Sequence, residues 1–155
     1  MSDFFTAPPP YEGGCLCGQV RYIAREAPMG ARICHCRLCQ RAQGAPFLSQ
    51  ASFPKRSMAV TGRTARHQSS HRLYRHFCPD CGTRLFVEPI DAPERLGVCL
   101  ATLDDPNAIR PEMHIWTDSR LDWVRFDDGL PEYPQGSPIP FRPLDPTTPP
   151  PGESV

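Results

Sequence analysis

The chain of 155 residues has no apolar run approaching the ~20 residues that a membrane span requires. It also has no internal repeat of useful length. Where a secretory signal would carry basic residues and an apolar stretch, the N-terminus carries Asp3 and three prolines. Net charge is lacking too: 17 Lys and Arg balance 17 Asp and Glu, and no dense basic run is present. That balance disfavours nucleic acid as a partner, and the want of an apolar anchor disfavours a membrane. We therefore expect a soluble cytoplasmic protein, in a compartment that keeps thiols reduced.

Cysteine is what the chain does have. Seven of its eight cysteines fall in three tight groups: Cys15 with Cys17, Cys34 with Cys36 and Cys39, and Cys78 with Cys81. In a reducing compartment such groups are metal ligands before they are disulfides, and two cysteines one residue apart are badly placed to bridge each other. The outer groups sum to four thiolates, which closes zinc's tetrahedron. The middle group offers three, which leaves a position for chemistry. Two zinc ions per chain are expected, one structural and one working, with the three-ligand ion the more easily lost.

Proline and turn residues set the organisation. Seven of the 20 prolines lie after residue 136, so residues 136–155 read as an extended or disordered proline-rich tail. Residues 1–10 form a shorter flexible extension, and 11–135 make one domain large enough for its own core. Within it, short apolar or alternating runs predict strands at Gln19–Ile23, Arg32–Cys34, Pro46–Ala51, Met58–Thr61, Arg72–Phe77, Leu85–Val87, Leu96–Ala101 and Met113–Trp116. Many short strands between turns indicate an all-β fold. The one helical turn expected is Leu38–Gln43.

Cys78-Pro-Asp-Cys81 followed by Gly82 is a zinc-knuckle pattern. Its turn lets backbone N–H groups donate to bound sulfur, and the glycine permits the bend. A structural zinc contributes on the order of 10–16 kcal/mol, comparable with the ~5–15 kcal/mol of a whole domain. This ion is therefore expected to be needed for folding.

The middle group points to different chemistry. Three thiolates donate much charge, so zinc there is a weak Lewis acid, and soft ligands suit a soft fourth partner such as another thiolate. An incoming thiol loses its proton near neutral pH. The zinc-bound thiolate is then a nucleophile toward an aldehyde carbonyl. Residues 21–75 carry eleven Arg or Lys and one acid, Glu26, whereas 76–155 carry six Arg and fourteen acids. These arginines either lie on solvent faces or form a basic rim for an anionic thiol. Glutathione is the obvious intracellular candidate, and Arg37 and Arg41 are the candidate contacts.

Other assignments stay open at this point. His35, between two ligands, is a candidate proton carrier or a residue behind the metal or on the surface. The three thiolates could instead be completed by His35, His67, His71, His76 or His114. Cys99, inside an apolar strand pattern, reads as a buried small hydrophobe. Trp116 and Trp123 either cover the core or wall a cleft.

The stretches GGCLCGQVRY (13–22), CHCRLCQRAQGAPF (34–47) and FCPDCGTRLF (77–86) resemble the glutathione-dependent formaldehyde-activating enzyme family, also called the centromere protein V/GFA domain. ATLDDP (101–106), HIW (114–116) and DWVRFDDGLPEY (122–133) extend the resemblance over about residues 11–135. It implies a β-tent fold, several small antiparallel sheets around a structural zinc held by Cys15, Cys17, Cys78 and Cys81. It implies a catalytic zinc on Cys34, Cys36 and Cys39. The implied activity is carbon–sulfur lyase chemistry, joining glutathione to formaldehyde as S-(hydroxymethyl)glutathione. Two competing readings are a non-catalytic zinc module that binds protein or nucleic acid, and a redox role in which oxidised middle cysteines expel zinc.

Overall fold

Turn residues interrupt every apolar run, so no strand among the described residues exceeds seven residues. A computed structural model describes residues 7–147. In it β1 (Tyr11–Gly14), β2 (Arg21–Ala24) and β5 (Met58–Thr61) form a small antiparallel sheet in the order β1-β2-β5. A second sheet is built from β3 (Gly30–Cys34), β4 (Leu48–Pro54), β6 (Ala65–Ser70), β7 (Leu73–Phe77), β8 (Arg84–Pro89), β9 (Arg95–Cys99) and β10 (Met113–Ile115). Its order is β10-β3-β4-β9-β8-β7-β6. The class is all-β, as the alternation predicts. One ladder is parallel: β10 runs beside β3, with Ile115 opposite Cys34.

Two of these strands carry no readable pattern. β1 is Tyr-Glu-Gly-Gly, with two glycines in four residues. β6 has no buried residue, is mostly polar and lies at the sheet edge. Tertiary pairing, not local preference, makes both of them strands. The helical turn is present as α1 (Arg37–Gln43), one residue longer than expected at its start.

Period-2 alternation gives the large sheet two working faces. Ala31, Ala51, Phe53, Phe86, Leu96 and Val98 point to one side and pack with Tyr11 and Tyr22 of the small sheet and with Val20 just before β2. Phe53 is fully buried there, and burying such a side chain stabilises the fold by roughly 1.5–3 kcal/mol. Cys34, Leu48, Val87 and Cys99 point to the other side, where they meet Cys39 of α1 and Met113 and Ile115 of β10. One side of the sheet is thus core, and the other carries the middle cysteine group.

The proline-rich segment has no regular structure through residue 147, yet it makes specific contacts. The Arg142 backbone N–H donates to Met29 O at 2.9 Å, and its guanidinium pairs with Glu112. The Phe141 ring lies between two guanidinium groups, those of Arg32 (3.8 Å to the centroid) and Arg95 (4.3 Å). The outer parts of both terminal segments, 1–6 and 148–155, lie outside the described residues. Among the described residues no helix is long and apolar enough to cross a membrane.

Candidate metal centres and the adjoining cleft

The turn after β1 carries Cys15 and Cys17, and the turn between β7 and β8 carries Cys78 and Cys81. Gly82 closes the second turn at φ 78°, a left-handed conformation that a side chain would strain. Its N–H donates to Cys78 O at 2.8 Å. Thr83 ties the two turns together, its hydroxyl accepting from Leu16 N at 3.0 Å and meeting Cys81 Sγ at 3.2 Å. That hydroxyl contact, with backbone N–H donors, pulls the Cys81 thiol down to about 5.

All four Sγ atoms lie within 4.8 Å of one another. A tetrahedral ion with ~2.3 Å bonds to sulfur needs edges of about 3.8 Å. The Cys15–Cys17 and Cys17–Cys78 pairs measure 3.6 and 3.8 Å. Val20 N donates to Cys15 Sγ at 3.2 Å, a backbone bond of the kind that steadies a metal-bound thiolate. The donor set fits a closed tetrahedral site for a soft divalent ion.

Cys34 ends β3, Cys36 caps α1 and Cys39 lies in its first turn. The strand-to-helix bend is what turns three side chains toward one point. Their Sγ atoms also lie within 4.8 Å of one another, and no histidine or carboxylate among the described residues joins the group. This second donor set also fits a metal, with three sulfurs and no fourth protein ligand. The N–H of Cys39 donates to Cys36 Sγ at 3.3 Å. S–H donation from Cys34 and Cys39 pulls the Cys36 thiol down to about 2 and raises that of Cys34. The trio therefore holds at least one thiolate readily. All eight cysteines are free thiols.

Gln40 fixes the bend. It is buried, and its Nε2 donates both to His35 O (2.8 Å) and to Ser119 O (2.9 Å). Facing the trio from β7 is Arg75, also buried, with one guanidinium nitrogen 3.5 Å from Cys39 Sγ. The motifs gave no notice of either residue. The alternation Leu73, Arg75, Phe77 does place Arg75 on the same side as Leu73, which packs against this cluster.

His35 is turned elsewhere. Its ring is completely buried against Phe47 and Phe126, and its Nε2 lies 2.9 Å from Nδ1 of His114. His114 is equally buried, and its Nε2 lies 2.8 Å from Asp128. The Nδ1 of His35 has no hydrogen-bond partner. Burial holds the His35 imidazole down to about 4, so it is neutral at physiological pH. Of the two readings of His35, this packing fits a residue behind the bend. Cys99 is buried as expected, its thiol pushed up to about 12 by that burial, with Gln43 Nε2 at 3.7 Å.

A cleft of about 480 Å³ opens beside Cys36. Leu38, Leu73 and Trp116 form apolar walls, while Arg37, Arg72, His71 and Arg95 bring polar groups to it. Trp116 is 39% exposed and is the one non-glycine described residue at positive φ, 57°. Held strain of this kind clusters at ligand sites. Trp123, 71% exposed, does not cover the core; it borders a neighbouring depression with Arg41. Arg37 borders both hollows, whereas Arg41 lines only the second. A slightly larger hollow of about 540 Å³ lies under the C-terminal segment and has no cysteine in its wall.

A family model described as glutathione-dependent formaldehyde-activating enzyme matches residues 10–119. The chain belongs to that family. Among curated relatives it is 27% identical over 128 residues to a putative glutathione-dependent formaldehyde-activating enzyme of Halomonas elongata, covering 75% of this chain and 80% of that one. It is 32% identical over 78 residues to an uncharacterized lyase of Schizosaccharomyces pombe, covering 50% of this chain and 57% of the relative. The match thus spans little more than half the length of the yeast protein. A crystal structure of a Rhodobacter sphaeroides protein shares the fold, with TM-score 0.51 and 22% identity over 79% of this chain and 98% of that one. Both cysteine groups are able to hold metal.

Proposed function

We propose that this protein is a zinc-dependent carbon–sulfur lyase that joins the thiol of glutathione, or a related anionic thiol, to formaldehyde or another small aldehyde. The observation that carries this reading is the convergence of Cys34, Cys36 and Cys39, without a fourth protein ligand, beside the arginine-bordered cleft. Cys15, Cys17, Cys78 and Cys81 would hold a structural zinc. Cys34, Cys36 and Cys39 would hold the second ion, which when bound supplies the positive charge that lets a thiol lose its proton at neutral pH.

The chain's own residues supply position and exclusion of water. Arg37 and Arg95 border the cleft with no carboxylate partner among the described ion pairs, whereas Arg72 is held by Asp91. Arg37, which also donates to Gln40 Oε1, and Arg95, which also stacks on Phe141, are the proposed contacts for the two carboxylates of glutathione. Leu38 and Trp116 shield the thiol end. Sulfur then attacks the aldehyde carbon: a C–S bond forms, the C=O pair moves to oxygen, and that oxygen takes a proton. Solvent at the cleft mouth is the proton source in this scheme, because His35 is enclosed by phenylalanines. The cytoplasm, rich in such thiols, is the proposed compartment.

The test combines metal counting with X-ray absorption at the zinc edge. Two zincs per chain are expected, with sulfur added to the average shell when glutathione is supplied, and faster formation of the glutathione–formaldehyde adduct than in buffer. An unchanged shell with two zincs bound would defeat the proposal.

A further inference from the structure

Arg75 stands at the centre of β7 and is only 5% exposed. Its Nε donates to Ser69 Oγ at 2.9 Å, one terminal nitrogen donates to Cys39 Sγ at 3.5 Å, and the other terminal nitrogen is buried with no partner. No carboxylate among the described residues pairs with it. A guanidinium keeps its charge at any working pH, and a buried charge without a counter-ion is costly. The anionic groups beside it are the sulfurs of the three-cysteine group.

Charge counting makes this specific. Three thiolates around a divalent ion sum to one negative charge. A fourth thiolate raises the sum to two, in a site whose Cys34 and Cys39 are buried. A neutral fourth ligand adds no charge. A fixed cation at this position therefore favours anionic sulfur over a neutral donor at the same ion.

We propose that Arg75 is a positioning residue, the internal counter-cation that lets the Cys34–Cys36–Cys39 centre accept an anionic sulfur ligand in preference to a neutral one. This rests on the three-thiolate reading above. Its second terminal nitrogen is a buried donor with no acceptor among the described residues, and Ser69 holds the guanidinium in place.

The experiment uses the full chain loaded with cobalt, whose sulfur charge-transfer and d–d bands report the fourth ligand. Wild type, Arg75→Lys, Arg75→Gln and Ser69→Ala are titrated with glutathione and, separately, with imidazole. The ratio of the two affinities is the readout. Removing the charge is expected to lower that ratio about tenfold or more, given Coulomb energies at such distances. Arg75→Lys is expected to keep most of it, and Ser69→Ala to lower it severalfold in the same sense. Loss of the second cobalt in Arg75→Gln but not in Arg75→Lys would also support the proposal, since the charge is then needed even for three thiolates. An unchanged ratio in Arg75→Gln overturns it, as does loss of the second cobalt from Arg75→Gln and Arg75→Lys alike, which marks a structural role. If wild type itself takes up no glutathione sulfur, the proposed function falls and this inference with it; if wild type does and the variants match it, only the inference falls.

Discussion

Cys17 Sγ lies 3.8 Å from Cys78 Sγ, although 61 positions separate the two residues in the chain. One turn leaves the small sheet and the other joins β7 to β8 of the large sheet, so an ion there would clamp the two sheets together. Cys78→Ala is expected to give insoluble or unfolded protein, because the lost ~10–16 kcal/mol of a structural zinc rivals the ~5–15 kcal/mol of a whole domain. Cys36→Ala is expected to fold and to bind one ion fewer. Circular dichroism melting curves, paired with metal counts, check both. A normal melt for Cys78→Ala would remove the structural assignment.

His114 stands between His35 and Asp128, and both of its ring nitrogens are engaged. Replacing it by leucine strands a buried N–H on His35 and releases Asp128. An unsatisfied buried donor costs about 1–3 kcal/mol, and urea unfolding of His114→Leu is expected to show a loss of that size. Thiol uptake at the cysteine centre is expected to survive at permissive temperature, because neither ring touches the sulfurs. A fully stable but inactive His114→Leu would instead make the histidine pair part of the chemistry.

The cysteine spacing makes both metal-ligand groups legible in the sequence, because ligands within a few residues of one another are placed by a single turn. Eight of the ten strands among the described residues could likewise be read from local alternation. What could not be read depends on distant partners. β1 and β6 are strands only through the strands beside them. Arg75 reaches Cys39 across 36 positions, and Trp116 meets the cleft by a backbone strain that composition does not record. His35 shows the limit from the other side: its place between two ligands leaves it open as a proton carrier or a residue behind the metal, and only the fold sets it in an aromatic box.

Phe141 depends on the bareness of Gly30. A Cβ on that glycine would lie 2.9 Å from Phe141 Cδ1, so Gly30→Ala must shift the ring against Arg32 and Arg95. Phe141→Ala is expected to cost about 1–2 kcal/mol, two partly exposed cation–π contacts at roughly 0.5–1 kcal/mol each. The two substitutions should not add: Gly30→Ala is expected to cost far less in the Phe141→Ala background than alone. Urea unfolding of the four proteins measures the coupling. Simple additivity would mean that the C-terminal segment does not sit on β3 in solution.

Arg37 and Arg41 lie four residues apart on α1, and sequence alone makes them equivalent candidates for holding an anionic thiol. The structure separates them. Arg37 borders the cleft that contains Cys36, while Arg41 borders only the hollow beside Trp123. Arg37→Ala is therefore expected to weaken glutathione binding severalfold, Arg95→Ala similarly, and Arg41→Ala hardly at all. An exposed charge pair is worth about 0.2–1 kcal/mol, so each effect should be modest and should shrink as salt shortens the reach of the charge. Cysteamine, a thiol without carboxylates, provides the control: its binding should not fall in Arg37→Ala or Arg95→Ala. Calorimetric titration of both thiols at low and high salt tests the assignment. If Arg41→Ala alone weakened glutathione, the ligand would lie on the Trp123 side of the helix, and the cleft beside Cys36 would lose its proposed occupant.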